Sequence, residues 1–265
     1  MSDWPNLQNI SRIIACSVGR KALTGDGYDT KGAYVELEAS CPGPVSGLLF
    51  QFISGATGQY LTDIAIGSAG NEIVIIPDIT YTCMGTRNAE SLYIPVTIPQ
   101  GARISGRTQK SLGSASYANT VMLHQLVGPY QQGFQKFDNY GANAATSGGI
   151  VIDPGATVNT KGNWVQITAA CNEIKQLAVM LTGYDAARET AYWKIDVGIG
   201  SAGNEVVVIG DLNLSSNATT DIISLQLNGF LPLSIPAGTR IAMRAECTVN
   251  TDPARKLEAV LIGAR

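Results

Sequence analysis

Few residues in this chain have the type and spacing that chemistry requires. The five cysteines, Cys16, Cys41, Cys83, Cys171 and Cys247, are widely separated and form no CxxC pair, so neither a zinc site nor a disulfide framework is indicated. All five are expected to be reduced thiols. The single histidine, His124, lies in the apolar stretch Val121 to Leu126, which reads as a strand. Nothing beside it nominates the partners that a general base or metal ligand needs. Gly67-Ser68-Ala69-Gly70 comes nearest to a hydrolase nucleophile elbow, but its spacing is wrong and it links strand to strand rather than strand to helix. Glu36 and Glu38 share one strand face with nothing to push their pKa values apart, so paired-carboxylate chemistry has no support there. Asp63 and Glu72 flank a Gly-rich segment that reads as a tight hairpin turn, with a cation or anion site as the alternative. The expectation is a non-enzymatic protein with no cofactor and no metal.

The elements that position these residues are duplicated. Asp63-Ile64-Ala65-Ile66-Gly67-Ser68-Ala69-Gly70-Asn71-Glu72 recurs 133 residues later as Asp196-Val197-Gly198-Ile199-Gly200-Ser201-Ala202-Gly203-Asn204-Glu205. Thr30-Lys31-Gly32 and Cys41 recur as Thr160-Lys161-Gly162 and Cys171, and Ile98-Pro99-Gln100-Gly101-Ala102-Arg103-Ile104 recurs as Ile235-Pro236-Ala237-Gly238-Thr239-Arg240-Ile241. Three blocks in the same order describe two copies of one domain, each too long for a solenoid repeat. The boundaries fall at an N-terminal arm over 1–19, copy one over 20–126, a linker over 127–151 and copy two over 152–265.

Within each copy the pattern is all-β. Tyr34 to Ala39 and Val165 to Ala169 alternate apolar and polar residues, as half-buried strands do. Leu48 to Ile53, Ile73 to Ile76 and Val206 to Ile209 are continuous apolar runs, expected to be covered on both faces. Gly, Pro, Asn and Ser punctuate the strands, and no amphipathic helix is indicated. The predicted fold is a tandem duplication of an antiparallel β-sandwich, jelly-roll-like, with the copies joined by a linker rich in Gly, Gln, Asn and aromatic residues.

Charged residues make up 15% of the 265, against roughly 25% in an ordinary soluble domain. A surface so poor in charge fits one covered by neighbouring subunits, so a homo-oligomer is expected. With 18 basic and 21 acidic residues and no basic stripe, nucleic acid is excluded as a partner. No apolar run is long enough to span a membrane, and the N-terminus lacks a leader pattern, so no membrane partner is expected and synthesis in a cytoplasm is.

Candidate interface residues come from three places. Trp4, Ile10 and Ile13 are apolar residues in the arm, suited to docking on a neighbour or capping the sandwich. Tyr130, Phe134, Phe137 and Tyr140 lie in the linker, where they either dock a sugar or protein or pack back onto the copies. Arg103 with Arg107, and Arg240 with Arg244, are four apart and so share a strand face, which suits either a salt-bridged solvent face or an interface.

Asp153 to Val165, Gly198 to Glu205 and Ile235 to Ile241 resemble a class of tailed-bacteriophage virion proteins built of β-sandwich domains. The resemblance touches both copies. It implies a non-enzymatic component of a phage particle, made in the host bacterial cytoplasm and located in the virion, with capsid or tail subunits as partners. An exterior decoration or cement protein that binds neighbouring capsid subunits is the leading expectation. A tail-fibre, spike or other receptor- or carbohydrate-binding role is the alternative.

Overall fold

The computed structural model describes residues 16–54, 57–83, 90–111, 118–127, 133–184, 189–216, 222–226 and 229–265. Strands account for all of the regular structure among them. Copy one is formed by β1 (Cys16–Thr24), β2 (Val35–Glu38), β3 (Val45–Ser54), β4 (Gly58–Ile66), β5 (Ile73–Cys83), β6 (Glu90–Ile94), β7 (Ile104–Lys110) and β8 (Ala118–Val127). They pair antiparallel into two sheets, β1-β8-β3-β6 and β2-β7-β4-β5. First with last, second with next to last, and the chain crossing between sheets: this is the jelly-roll order that strand counting alone could not settle.

Copy two repeats it. The strands are β9 (Phe137–Tyr140), β10 (Ile150–Ile152), β11 (Val165–Thr168), β12 (Ile174–Tyr184), β13 (Ala191–Ile199), β14 (Val206–Ser216), β15 (Ile222–Gln226), β16 (Leu231–Ile235), β17 (Ile241–Cys247) and β18 (Leu257–Ala264). One sheet runs β10-β18-β12-β15, with β9 also on β18 and β16 also on β12, and the other runs β11-β17-β13-β14. The order matches copy one once β9 and β10 are taken together as the first strand and β15 and β16 as the sixth. The stretch 127–151, expected to join the copies, thus supplies β9 and the start of β10 to the second sandwich, and β1 begins inside the stretch expected to be an arm.

The repeated motifs build the same turns twice. In the β4–β5 hairpin Gly67 and Gly70 have φ of 122° and 84°, and Asn71 N–H donates to Ser68 O at 2.9 Å. In the β13–β14 hairpin Gly200 and Gly203 have φ of 120° and 83°, and Asn204 N–H donates to Ser201 O at 3.0 Å. Glycine is required because L side chains rarely adopt these angles, and a Cβ at Gly67 would stand 2.6 Å from Asn71 O. The Ile-Pro-x-Gly blocks form a second matched turn, latched by the equivalent cysteines: Gly101 N–H donates to Cys41 O and Gly238 N–H to Cys171 O. Cys41, Cys171 and Cys247 are buried thiols, and burial raises the Cys171 pKa.

Two apolar clusters result. Trp193, Leu177, Val179, Leu181, Leu257, Ala259 and Leu261 belong to the core of copy two. Their sequence neighbours Ala178, Met180, Val260 and Ile262 point the other way and pack into the cluster of copy one. The central strands β12 and β18 are therefore buried on both faces over 178–181 and 259–262, their outer side lying against the first sandwich. The two-face burial expected of Ile73 to Ile76 and Val206 to Ile209 is corrected: Ile73 and Val206 are 67% and 65% exposed. Both runs start edge strands beside hairpin turns, where one face and the tip meet solvent. The runs buried on both faces are 178–181 and 259–262 instead.

Candidate functional site

The outer faces of the two β-sheets that carry the repeated motifs hold the same ion network. In copy one Lys31 Nζ donates to Asp63 Oδ1 and Asp78 Oδ1, both at 2.7 Å, and Arg107 Nε donates to Asp63 Oδ2 at 2.8 Å. In copy two Lys161 Nζ donates to Asp196 Oδ1 at 2.8 Å and Asp211 Oδ1 at 2.9 Å, and Arg244 Nε donates to Asp196 Oδ2 at 2.9 Å. Asp78 and Asp211 take φ of 48° and 52°, which Asp tolerates better than most residues, and their N–H groups close the networks onto Asp63 and Asp196. Each arginine lies over an aromatic ring, Arg107 on Tyr34 at 4.6 Å and Arg244 on Trp164 at 4.5 Å. Burial raises the Tyr34 pKa, against the nearby Arg107 charge. Burial acts to raise the Asp196 pKa, but Lys161, the Asp211 N–H and Arg244 outweigh it and the pKa is lowered.

A second repeated device clamps each hairpin. Arg103 Nη1 donates to Gly67 O and Glu72 Oε1, while its Nε donates to Glu36 Oε2. Arg240 Nη1 donates to Gly200 O and Glu205 Oε1, while its Nε donates to Gln166 Oε1. Burial acts to raise the Glu72 and Glu205 pKa values, but backbone N–H groups and the arginines overcome it and hold both carboxyls low. Asp63 and Glu72 thus sit in separate networks, each already facing cationic side chains. Among the described residues no group of three His, Cys, Asp or Glu side chains is placed to hold a metal ion. No helix among them is long and apolar enough to cross a membrane.

Each of the four arginines singled out from sequence therefore donates to a carboxylate within the chain, Arg107 and Arg244 through Nε alone among the described residues. Trp4, Ile10, Ile13 and Tyr130 lie outside the described residues. Phe134 N–H donates to Pro95 O and its ring packs on the first cluster, Phe137 joins that cluster edge-on to Phe230 at 5.5 Å, and Tyr140 packs on the second core. Of the two uses weighed for these linker aromatics, packing back onto the sandwiches is the one the structure shows for these three.

What distinguishes the copies is cover. Tyr192 and Gln59 are equivalent, on matching strands and facing Ser215 and Thr82 in matching registers. Gln59 is 6% exposed and donates to Glu258 Oε2 of copy two at 2.8 Å, whereas Tyr192 is 61% exposed. Thr80 and Thr82 are buried, while the equivalent Asn213 and Ser215 are exposed. Asp78 O accepts from Asn139 Nδ2, and Gln109 Nε2 donates to Ala144 O and Ser147 Oγ, so β5 and β7 are also held by copy two. On the uncovered face of copy two, Asn159, Tyr192, Lys194, Asn213, Glu246 and Thr248 line a groove of about 620 Å³. Sequence reading missed Tyr192, Asn213 and Thr248 because they lie outside the repeated blocks, and their significance comes from a comparison of exposure between copies.

No protein-family model and no curated protein matches the chain. Among solved structures, the chain is similar to the N-terminal CBM22-1-CBM22-2 tandem domain from Paenibacillus barcinonensis Xyn10C, at 10% identity over 93% of this chain and 91% of that one, with a TM-score of 0.29. It is similar to PNGase F, a glycosylasparaginase from Flavobacterium meningosepticum, at 10% identity over 94% and 96%, with a TM-score of 0.33. For PNGF-II the identity is 9% over 88% of this chain and 59% of that one, with a TM-score of 0.36. TM-scores this low carry no argument about what the chain does.

Proposed function

We propose that the chain is a non-enzymatic structural subunit of a protein particle, of the virion type that the motif resemblance implies, which works by packing sheet faces against its neighbours. One observation carries this reading: the sheet face that copy two covers on copy one is formed again on copy two, with the same internal ion networks, and is left open by the described residues. Such a face is rigid before any partner arrives, so little ordering entropy opposes docking. The exposed apolar pairs Ile73 and Val74, and Val206 and Val207, stand at equivalent hairpin tips and add matched contact points. An exterior decoration or cement position fits a subunit with two such tips, because two linked weak contacts hold far more firmly than either alone.

A second reading, receptor or glycan binding, rests on the groove itself. Tyr192 offers an exposed ring for stacking, and Asn159, Asn213 and Glu246 offer hydrogen-bonding groups around it. The experiment that decides is antibody labelling of purified particles from the source. Many regularly spaced copies over the particle surface are expected. Absence from particles would overturn the reading, and confinement to a tail tip would favour the receptor-binding alternative.

A further inference from the structure

We propose that the open β11-β17-β13-β14 face docks a second copy of this chain, through the outer side of that copy's β1-β8-β3-β6 sheet, repeating between molecules the sandwich-to-sandwich interface seen within one. The inference rests on the structural-subunit reading and names the partner of its open face.

Duplication gives each internal contact face a counterpart elsewhere on the molecule. Inside the chain, the face of copy one built on β4, β5 and β7 meets the β18-β12 side of copy two. The face equivalent to the first is the groove around Tyr192. The sheet equivalent to the second is β1-β8-β3-β6, whose outer side the described residues leave partly open: Leu49, Gln51 and Tyr93 are only half-buried. Register makes the match residue by residue. Leu48 opposite Gln125 corresponds to Leu177 opposite Gly263, so Leu49 and Gln51 take the places of Ala178 and Met180, the two β12 residues that pack into copy one. Along β8, Val121 opposite Phe52 matches Ala259 opposite Leu181, and the next residue, Thr120, takes the place of Glu258, the residue that accepts from Gln59, just where a bulge shifts the β3 pairing.

Each molecule thus carries one donor face and one acceptor face, at opposite ends of the stack. Two such faces on the same subunit make a heterologous contact, which closes into a ring when the rotation allows and otherwise extends as a filament. The low charge content suits a chain with both faces covered in this way.

The test uses the full-length protein in two singly substituted forms, Tyr192→Cys and Thr120→Cys, mixed with a flexible bis-maleimide cross-linker. Those positions correspond to Gln59 and Glu258, whose side-chain tips meet at 2.8 Å across the internal interface, so the shorter cysteine side chains face each other across a gap that the cross-linker's spacer bridges. The expected result is a cross-linked band at twice the chain mass in the mixture and none with either variant alone. No such band, or an equal band from Tyr192→Cys alone, which would mean two open faces meeting back to back, overturns the proposal. Binding of cellohexaose or mannohexaose to the unsubstituted protein, lost in Tyr192→Ala and unaccompanied by cross-linking, would assign the face to glycan instead. If cross-linking fails while labelling still finds many regular copies on particles, this inference falls and the structural-subunit reading stands.

Discussion

Asp78 and Asp211 are the same residue in two copies of one fold, with the same backbone angle, the same lysine partner and the same hydrogen bond to a neighbouring aspartate, yet their side chains are 28% and 67% exposed. The ion networks around them join equivalent partners at matching distances, so they cannot be what sets the copies apart. They fix the local shape of each sheet. The difference is made one layer further out, where Asn139 and the β18-β12 side of copy two lie on copy one, while no described residue covers the equivalent β11-β17-β13-β14 face of copy two. Motifs preserved between copies mark the scaffold, and positions that diverge, Gln59 against Tyr192 or Gln51 against Met180, mark what each face meets.

Substitution at such a divergent pair gives the largest contrast. Met180 is fully buried between the sandwiches, so Met180→Ala is expected to cost about 2–5 kcal/mol, as core truncations do. The equivalent change in copy one, Gln51→Ala, is expected to cost about 1 kcal/mol or less in the isolated chain, the worth of one modest hydrogen bond. Urea unfolding measures both. Equal losses would show that the outer side of the first sandwich is already covered by its own chain.

A smaller effect tests the sameness of the scaffolds. Glu72, Glu205 and Asp196 have folded pKa values below their unfolded ones. Their contribution is therefore fully present above the unfolded carboxyl values, near about 4, and is lost as pH falls through the lower folded values. Stability is expected to be level from neutral pH down to about 5 and to decline below about 4. Glu72→Gln and Glu205→Gln should each flatten the decline to a similar extent, because both carboxyls face the same arginine clamp. A marked difference between the two variants, read by thermal melts across pH, would mean that the hairpins are not equivalent after all.

Much of this architecture was legible in the sequence. The three repeated blocks announced the duplication, and each proved to be a structural device: a hairpin with positive φ at its glycines, an arginine clamp, and a turn latched by Cys41 or Cys171. Period-two alternation identified β2 and β11 correctly because each is half-buried. Where the reading failed, the cause was tertiary. Ile73 to Ile76 and Val206 to Ile209 looked buried on both sides, yet they open edge strands. Residues 137–140 looked like linker because only pairing with Leu261 to Ala264 makes them a strand. The open groove was not legible at all, since no local pattern distinguishes Tyr192 on an uncovered sheet from Gln59 on a covered one.

The central claim, that the open face of the second sandwich receives another copy of the chain, is tested most directly by sedimentation velocity over a range of protein concentrations. The unsubstituted protein is expected to sediment as a multiple of the single-chain mass at high concentration. A form carrying Tyr192→Asp and Asn213→Asp, both exposed positions where folding is little affected, is expected to remain a single chain throughout. A protein that stays a single chain at every concentration, or an assembly that survives both substitutions, would contradict the claim.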